Sequence, residues 1–330
     1  MNKINSVVLK AMRKVYGSVF EVSTLKKPAC EKNPKEVSQI LYESLVDDKP
    51  CMIARFGAFE LSTVVNYLNI KEKPNSWEYI RGEKGQWWWD DNLLRYMHKN
   101  AGFFPIDKDS ISRFCDLMIN DSKDIDVLGS WLVNENYLDN FLPVNCQKVW
   151  RIFIDPFWTD FPWTRALAGK RVLVVHPFAE IIEQQYRFKR KELFRNEHIL
   201  PDFELKLIKA VQSIGGNTSG FKNWFEALDF MKMQIENVEF DICLLGCGAY
   251  GFPLAAHVKR MGKKAVHWGG SLQLYFGIIG KRWENANYGT KEAKSYCPEI
   301  NYPNLINEHW VRPESAKVPK ADDIEGGCYW

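Results

Sequence analysis

Between Gly169 and Gly270 the chain alternates short apolar runs with stretches whose apolar residues recur at helical spacing. "KRVLVVHPF", "ELKLIKAV", "FDICLLGCG" and "KKAVHWGG" read as buried strands, and "AEIIEQQYRFKRKELF", "NWFEALDFMKMQIEN" and "PLAAHVKRMG" as helices between them. Strands separated by helices need crossover connections, which are right-handed and pair the strands in parallel. An earlier unit has the same form. Val37, Ile40, Leu41 and Leu45 keep helical spacing, "DDKP" breaks the helix, "CMIARFG" is a short buried strand, and Phe59, Leu61, Val64, Val65 and Leu68 mark a helix beginning near Ala58. The pattern predicts an α/β fold, a mainly parallel sheet with helices on both faces. Ligands of such sheets bind beyond the carboxyl ends of the strands. That rule singles out His176, the turn at Gly246, Trp268 to Ser271, and Arg55 to Glu60.

The remainder is less periodic. Residues 1-48 read as an N-terminal helical region, 49-287 as the main domain with an aromatic-rich insertion around 71-165, and 288-330 as an extension whose apolar end, "EGGCYW", docks on the body. Within the insertion "QWWWDDNLLRYMHKN" looks helical and "DIDVLGSWL" looks like a further strand, while "KVWRIFIDPFWTDFPWT" is aromatic and broken by proline. Its Trp and Phe are expected in the core, although aromatics left open in a cleft would stack on a sugar or a base.

Composition changes this picture little: 46% apolar and 26% charged residues describe an ordinary globular chain. A net charge of +3 gives no global field for nucleic acid. The eight cysteines are scattered without C-x-x-C pairs or a compact framework, so buried thiols in a reducing cytoplasm are expected. No secretory signal and no transmembrane run are legible. The opening helix mixes Lys10, Arg13 and Lys14 with Val7, Val8, Leu9, Met12, Val15 and Phe20; packing on its own domain is the expected fate, and an anionic membrane surface is the alternative.

Candidate chemistry gathers at the strand ends. Gly246, Gly248 and Gly251 have the spacing G-x-G-x-x-G, with Pro253 in the first turn of the following helix, the arrangement by which backbone amides approach a diphosphate. A nicotinamide cofactor would also call for an acidic residue about 20 positions on, to hold a ribose hydroxyl. The chain has Val266, His267, Trp268, Gly269 and Gly270 there. Arg55 emerges from an apolar strand and would either pair with Glu60 or meet a phosphate. His176 and Glu180 share the turn after their strand, and either could act as general base or hydrogen-bond donor. Gly269 and Gly270, followed by Gln273, Lys281 and Arg282, form a second candidate anion site.

Taken together, "ARFGAFE", "LLGCGAYG" and "KRMGKKAVHWGGSLQLYFGIIGKRW" resemble the GT-D-type glycosyltransferases, a family first catalogued as a domain of unknown function, and related glycosyltransferases of bacterial surface-polysaccharide clusters. The resemblance covers the first strand unit, most of 169–284 and the terminal "EGGCYW". It implies a Rossmann-like domain that takes a sugar from a nucleoside-diphosphate sugar, a UDP-sugar foremost, to a saccharide or lipid-linked acceptor. With the strand-end reading, Arg55, Glu60 and His176 are the catalytic candidates. Gly57, Gly246, Gly248, Tyr250, Gly251, His267, Gly269, Gly270 and Gln273 are the nucleotide-sugar-binding candidates. The family's Arg-Phe-Gly-Asp-Gly-Glu motif supplies an Asp-x-Glu pair for Mn or Mg; here Ala58 stands at the Asp and only Glu60 remains, which puts the metal in question. Arg55 and the glycine-turn amides could replace the metal's charge, freeing Glu60 to serve as base. A cytoplasmic enzyme, peripheral at the inner face of the membrane in one version, is expected, with no nucleic-acid partner. A non-catalytic nucleotide-sugar-binding protein and an NAD(P)-dependent oxidoreductase are the alternatives.

Overall fold

A computed structural model describes residues 3–22, 25–217, 219–317 and 327–330. Seven strands form one sheet: β1 (Cys51–Ala54), β2 (Val127–Ser130), β3 (Gln147–Trp150), β4 (Arg171–His176), β5 (Glu204–Lys209), β6 (Ile242–Leu245) and β7 (Lys264–His267). Their order is β3-β2-β1-β7-β6-β4-β5 and every pairing is parallel. The sheet is therefore wholly parallel, an α/β Rossmann-like fold with helices on both faces. β3 is the strand that hydropathy does not announce, since it lies at the edge and only Val149 within it is fully buried.

The two-residue period of the strands divides the core. Cys51 and Ile53, Val172 and Val174, and Ile242 and Leu244 point to one face. There they meet α2 (Pro34–Val46), α7 (Ala179–Leu193), and Trp310 and Trp330 of the C-terminal region. Met52 and Ala54, Leu173 and Val175, and Cys243 and Leu245 point to the other face. Their partners are α3 (Ala58–Glu72), α6 (Lys108–Asp121), α8 (Trp224–Glu236) and α9 (Gly251–Arg260). Four-residue strands suffice because β1, β2 and β6 are buried along their whole length.

The shorter helices are α4 (Ser76–Ile80), α5 (Asp91–Lys99) and α10 (Leu272–Tyr275). The aromatic run Trp87 to Trp89 precedes α5, which starts only where Asp90 caps the amides of Asn92 and Leu93. At the other end of the chain, Cys328 and Trp330 are buried, the Trp330 carbonyl accepts from the Lys281 amide, and the Tyr329 carbonyl accepts from Gln273 Nε2 at 3.1 Å. The opening helix α1 (Lys3–Val19) packs on α4. The helix packs on the domain through its other side, and Val7, Val8, Met12, Val15, Val19 and Phe20 are left exposed. No helix among the described residues is long and apolar enough to cross a membrane.

Candidate active site

The ends of β1, β7, β6 and β4 open onto one trough along the carboxyl edge of the sheet, which takes in the β6–β4 boundary where the connections reverse direction. The trough has two connected hollows of about 640 and 1010 Å³, which share Arg55, Asn100, Ala101, Gly248, Ala249, Gly270 and Tyr329. His176, Gly246, Tyr250 and Gln273 line the first; Gly57, Ala58 and Glu60 line the second. Nine of the sequence-derived candidates thus meet in one place.

Arg55 stands at the centre. It leaves β1 one residue past the last paired position, and its guanidinium lies flat against Gly269, where a side chain at φ +84° would collide with Nη2 at 2.1 Å. Its recorded hydrogen bond is a long one, Nη1 to the Phe56 carbonyl at 3.4 Å, and it forms no ion pair within 4 Å among the described residues. Burial lowers its pKa, and the field of Glu60 partly offsets that. Glu60, at the third position of α3, folds back over Gly57, where an added Cβ would sit 2.0 Å from Oε2.

The glycine turn divides its labour. Gly246 has no room for a side chain because His176 and Leu272 press on it. Gly248 takes φ +60° with open space around its α-carbon. Gly251 sits at the start of α9 against the His267 ring, where a Cβ would lie 2.5 Å from Cδ2. Because the turn makes a 3-10 step before α9, the amides of Gly248 and Ala249 have no recorded acceptor among the described residues. Those of Gly270 and Ser271, just before α10, are also without one. Unengaged amides at a cavity wall are donors for an anion.

Three candidates acquire different roles from those the sequence suggests. His267 is buried beneath the turn and lines neither hollow; burial and the neighbouring Arg55 charge hold its pKa well down, so it is a neutral packing residue of the Gly251 contact. Gln273 lines the first hollow, but its Nε2 is spent on the carbonyls of Ile278 and Tyr329 and secures the C-terminus. Tyr250 stacks on Trp224 at 4.7 Å and shares a hydrogen bond with Ser213, so its ring is fixed in the wall.

His176 is a donor and not a base. Its Nδ1 accepts the Phe178 amide at 3.0 Å, which places the proton on Nε2. Burial pushes its pKa down to about 3. Because the folded pKa is below the ordinary 6.5, the stability that depends on neutral His176 is complete above pH 6.5 and is lost as pH falls toward 3. A His176→Gln variant should therefore show a flatter decline of unfolding free energy over that window, by an amount bounded by roughly 5 kcal/mol. Denaturant titrations of both proteins at stepped pH measure this; superimposable pH profiles would remove His176 from the acid response.

The second hollow adds Asp155, Arg151 and Trp131, which the sequence did not single out, to Arg282, which it did. Asp155 is 3% exposed and accepts from Trp268 Nε1 and Ser271 Oγ at 2.7 Å on one oxygen and from Tyr302 OH at 2.5 Å on the other. Burial raises its pKa while those three bonds pull it back. Arg151 lies over the Trp131 ring at 4.8 Å with a buried, unpartnered Nε, and Trp131 is held by a 3.0 Å bond from Nε1 to the Phe56 carbonyl. Arg282 lies among the rings of Trp283, Tyr288 and Tyr329. Arg55, Arg151 and Arg282 thus face Glu60 and Asp155, an arrangement for an anionic guest.

A divalent metal does not fit this donor set. Glu60 and Asp155 are the carboxylates of the second hollow, and Asp155 is committed to Trp268, Ser271 and Tyr302. Among the described residues no three His, Cys, Asp or Glu side chains are grouped as ligands.

Fold and trough define an α/β protein with a basic, amide-rich cleft at its topological switch point. Comparison with protein-family models, with curated proteins and with solved structures gives no match.

Proposed function

We propose that the chain is a glycosyltransferase that moves a sugar from a nucleoside-diphosphate sugar to a saccharide or lipid-linked acceptor. One observation carries the reading: Arg55, the unengaged amides of Gly248 and Ala249 and the amide of Gly270 converge on a single cleft. The diphosphate lies there, with the nucleoside in the first hollow beside Phe178 and Tyr250, and the sugar in the second. The acceptor approaches through an adjoining hollow that shares Trp131, Arg151 and Tyr288 and adds Lys27 and Lys32.

The acceptor hydroxyl oxygen forms a bond to the anomeric carbon. The bond from that carbon to the diphosphate oxygen breaks, its electron pair stays on the diphosphate, and the hydroxyl proton passes to Glu60. Negative charge grows on the leaving group, and Arg55 with the fixed amides stabilises it there without reorganisation. His176 Nε2 supplies a further neutral donor.

The thin carboxylate set favours one rival, a non-catalytic nucleotide-sugar-binding protein, in which the donor binds and nothing turns over. An oxidoreductase is disfavoured because the end of β7 presents buried His267 and Trp268 where an acidic ribose ligand is needed. A thermal-shift screen with UDP, GDP, CMP, TDP, NADH and UDP- and GDP-sugars, each with Mn or EDTA, tests all three. A ligand at 100 times its dissociation constant stabilises a fold by about 2.7 kcal/mol. The expected result is a selective shift with one nucleoside diphosphate that persists in EDTA; a shift with NADH alone overturns the proposal.

A further inference from the structure

We propose that α1 docks the protein on an anionic lipid surface. Val8, Met12, Val15 and Val19 follow one another at steps of four, three and four residues, and so form one stripe along the helix. All four are exposed, Val15 by 65% and Val19 by 69%. Phe20 continues the stripe and the exposed Trp77 of α4 flanks it, and together these side chains border an apolar hollow of about 860 Å³. Large apolar groups gathered in this way on a protein surface mark something that covers them.

The helix is not a loose end. Arg13 Nη1 donates to the Lys84 carbonyl at 3.1 Å and its guanidinium lies 4.7 Å over the Tyr79 ring, so a different side of α1 is tied to the body. Pinned there, the stripe faces outward.

Charge selects the occupant. From Lys3 to Phe20 the sequence contains Lys3, Lys10, Arg13 and Lys14 and no Asp or Glu before Glu21, although Lys10 stands 4.0 Å from Asp90 and Arg13 is turned to the body. A second copy of the chain seated stripe to stripe would bring two acid-free basic helices together, and like charges across an interface oppose assembly. An anionic bilayer offers both things the helix lacks, an apolar layer for the stripe and counter-charge for the lysines at headgroup level. Lipid docking by α1 does not depend on the chemistry proposed for the cleft.

Flotation of the full chain with phosphatidylcholine vesicles, with and without phosphatidylglycerol, tests it. Binding to the anionic vesicles, weakened by added salt, is expected. A Val15→Asp, Val19→Asp double variant should lose at least about tenfold of it, because both changes lie on a solvated face and spare the core. Circular dichroism confirms that this variant folds, and light scattering reports the mass of both proteins. Failure to bind anionic vesicles, or equal binding to neutral ones, overturns the proposal. So does a stable dimer that the double variant dissociates, which would make the stripe a self-association face.

Discussion

Replacing Arg55 by Gln is expected to weaken nucleoside-diphosphate binding by about ten- to 150-fold, the loss of one charge-assisted hydrogen bond, while leaving the fold at least as stable as before. The two effects have opposite signs for one reason. The guanidinium is half-buried at the end of β1, where desolvation depresses its pKa and the field of Glu60 only partly restores it. A charge drawn partly out of water without full compensation costs stability, so its removal relieves the unliganded protein. A diphosphate would supply the missing countercharge through charge-assisted hydrogen bonds, each contributing roughly 1.5 to 3 kcal/mol. Urea unfolding and calorimetric titration of UDP on the same pair of proteins read both quantities. Should the variant unfold more easily and bind UDP unchanged, Arg55 is a structural partner of Glu60 and the proposed centre of the cleft is wrong.

Asp155→Ala should cost at least about 3 kcal/mol of folding stability, the largest loss anticipated for a single residue of the trough. The carboxylate gathers Trp268, Ser271 and Tyr302, which come from the turn after β7 and from the C-terminal region, and all three are buried. Truncation leaves three buried donors without an acceptor, each penalised by about 1 to 3 kcal/mol. Asp155→Asn should be milder, because it keeps the shape and one acceptor oxygen. Denaturant midpoints for the three proteins decide the matter. A loss below about 1 kcal/mol for Asp155→Ala would mean that water or a shifted turn satisfies those donors as well as the carboxylate does.

The strand-turn-helix units were legible because their signal is physical and local. Val172 to Val175 and Ile242 to Leu245 are apolar at every position, as strands covered on both faces must be, and the helices after them keep an apolar face. Arg55, Glu60, His176 and the glycines could be placed in the trough because in parallel sheets the strand ends share one side. The meaning of the glycine spacing was only half legible. Its third glycine serves the close approach of α9 to His267, a packing demand that looks identical in sequence to a ligand demand. Trp131, Arg151 and Asp155 escaped notice because they lie at or between strand ends and in 3-10 turns, where no period marks which side chain turns inward. Asp155 in particular is recognisable only through its three donors, all of them more than a hundred positions away in the chain.

The wall between the two hollows joins distant parts of the chain. Tyr329 closes against Gly270 and borders both spaces with Arg55, so the cleft is bounded by residues from the first strand and from the last turn of the chain. Contacts across such separations form late, since the loop they close must first surrender its freedom. In refolding, the sheet and its helices are thus expected in place before the partition of the cleft closes, so that recovery of ligand binding lags recovery of the architecture.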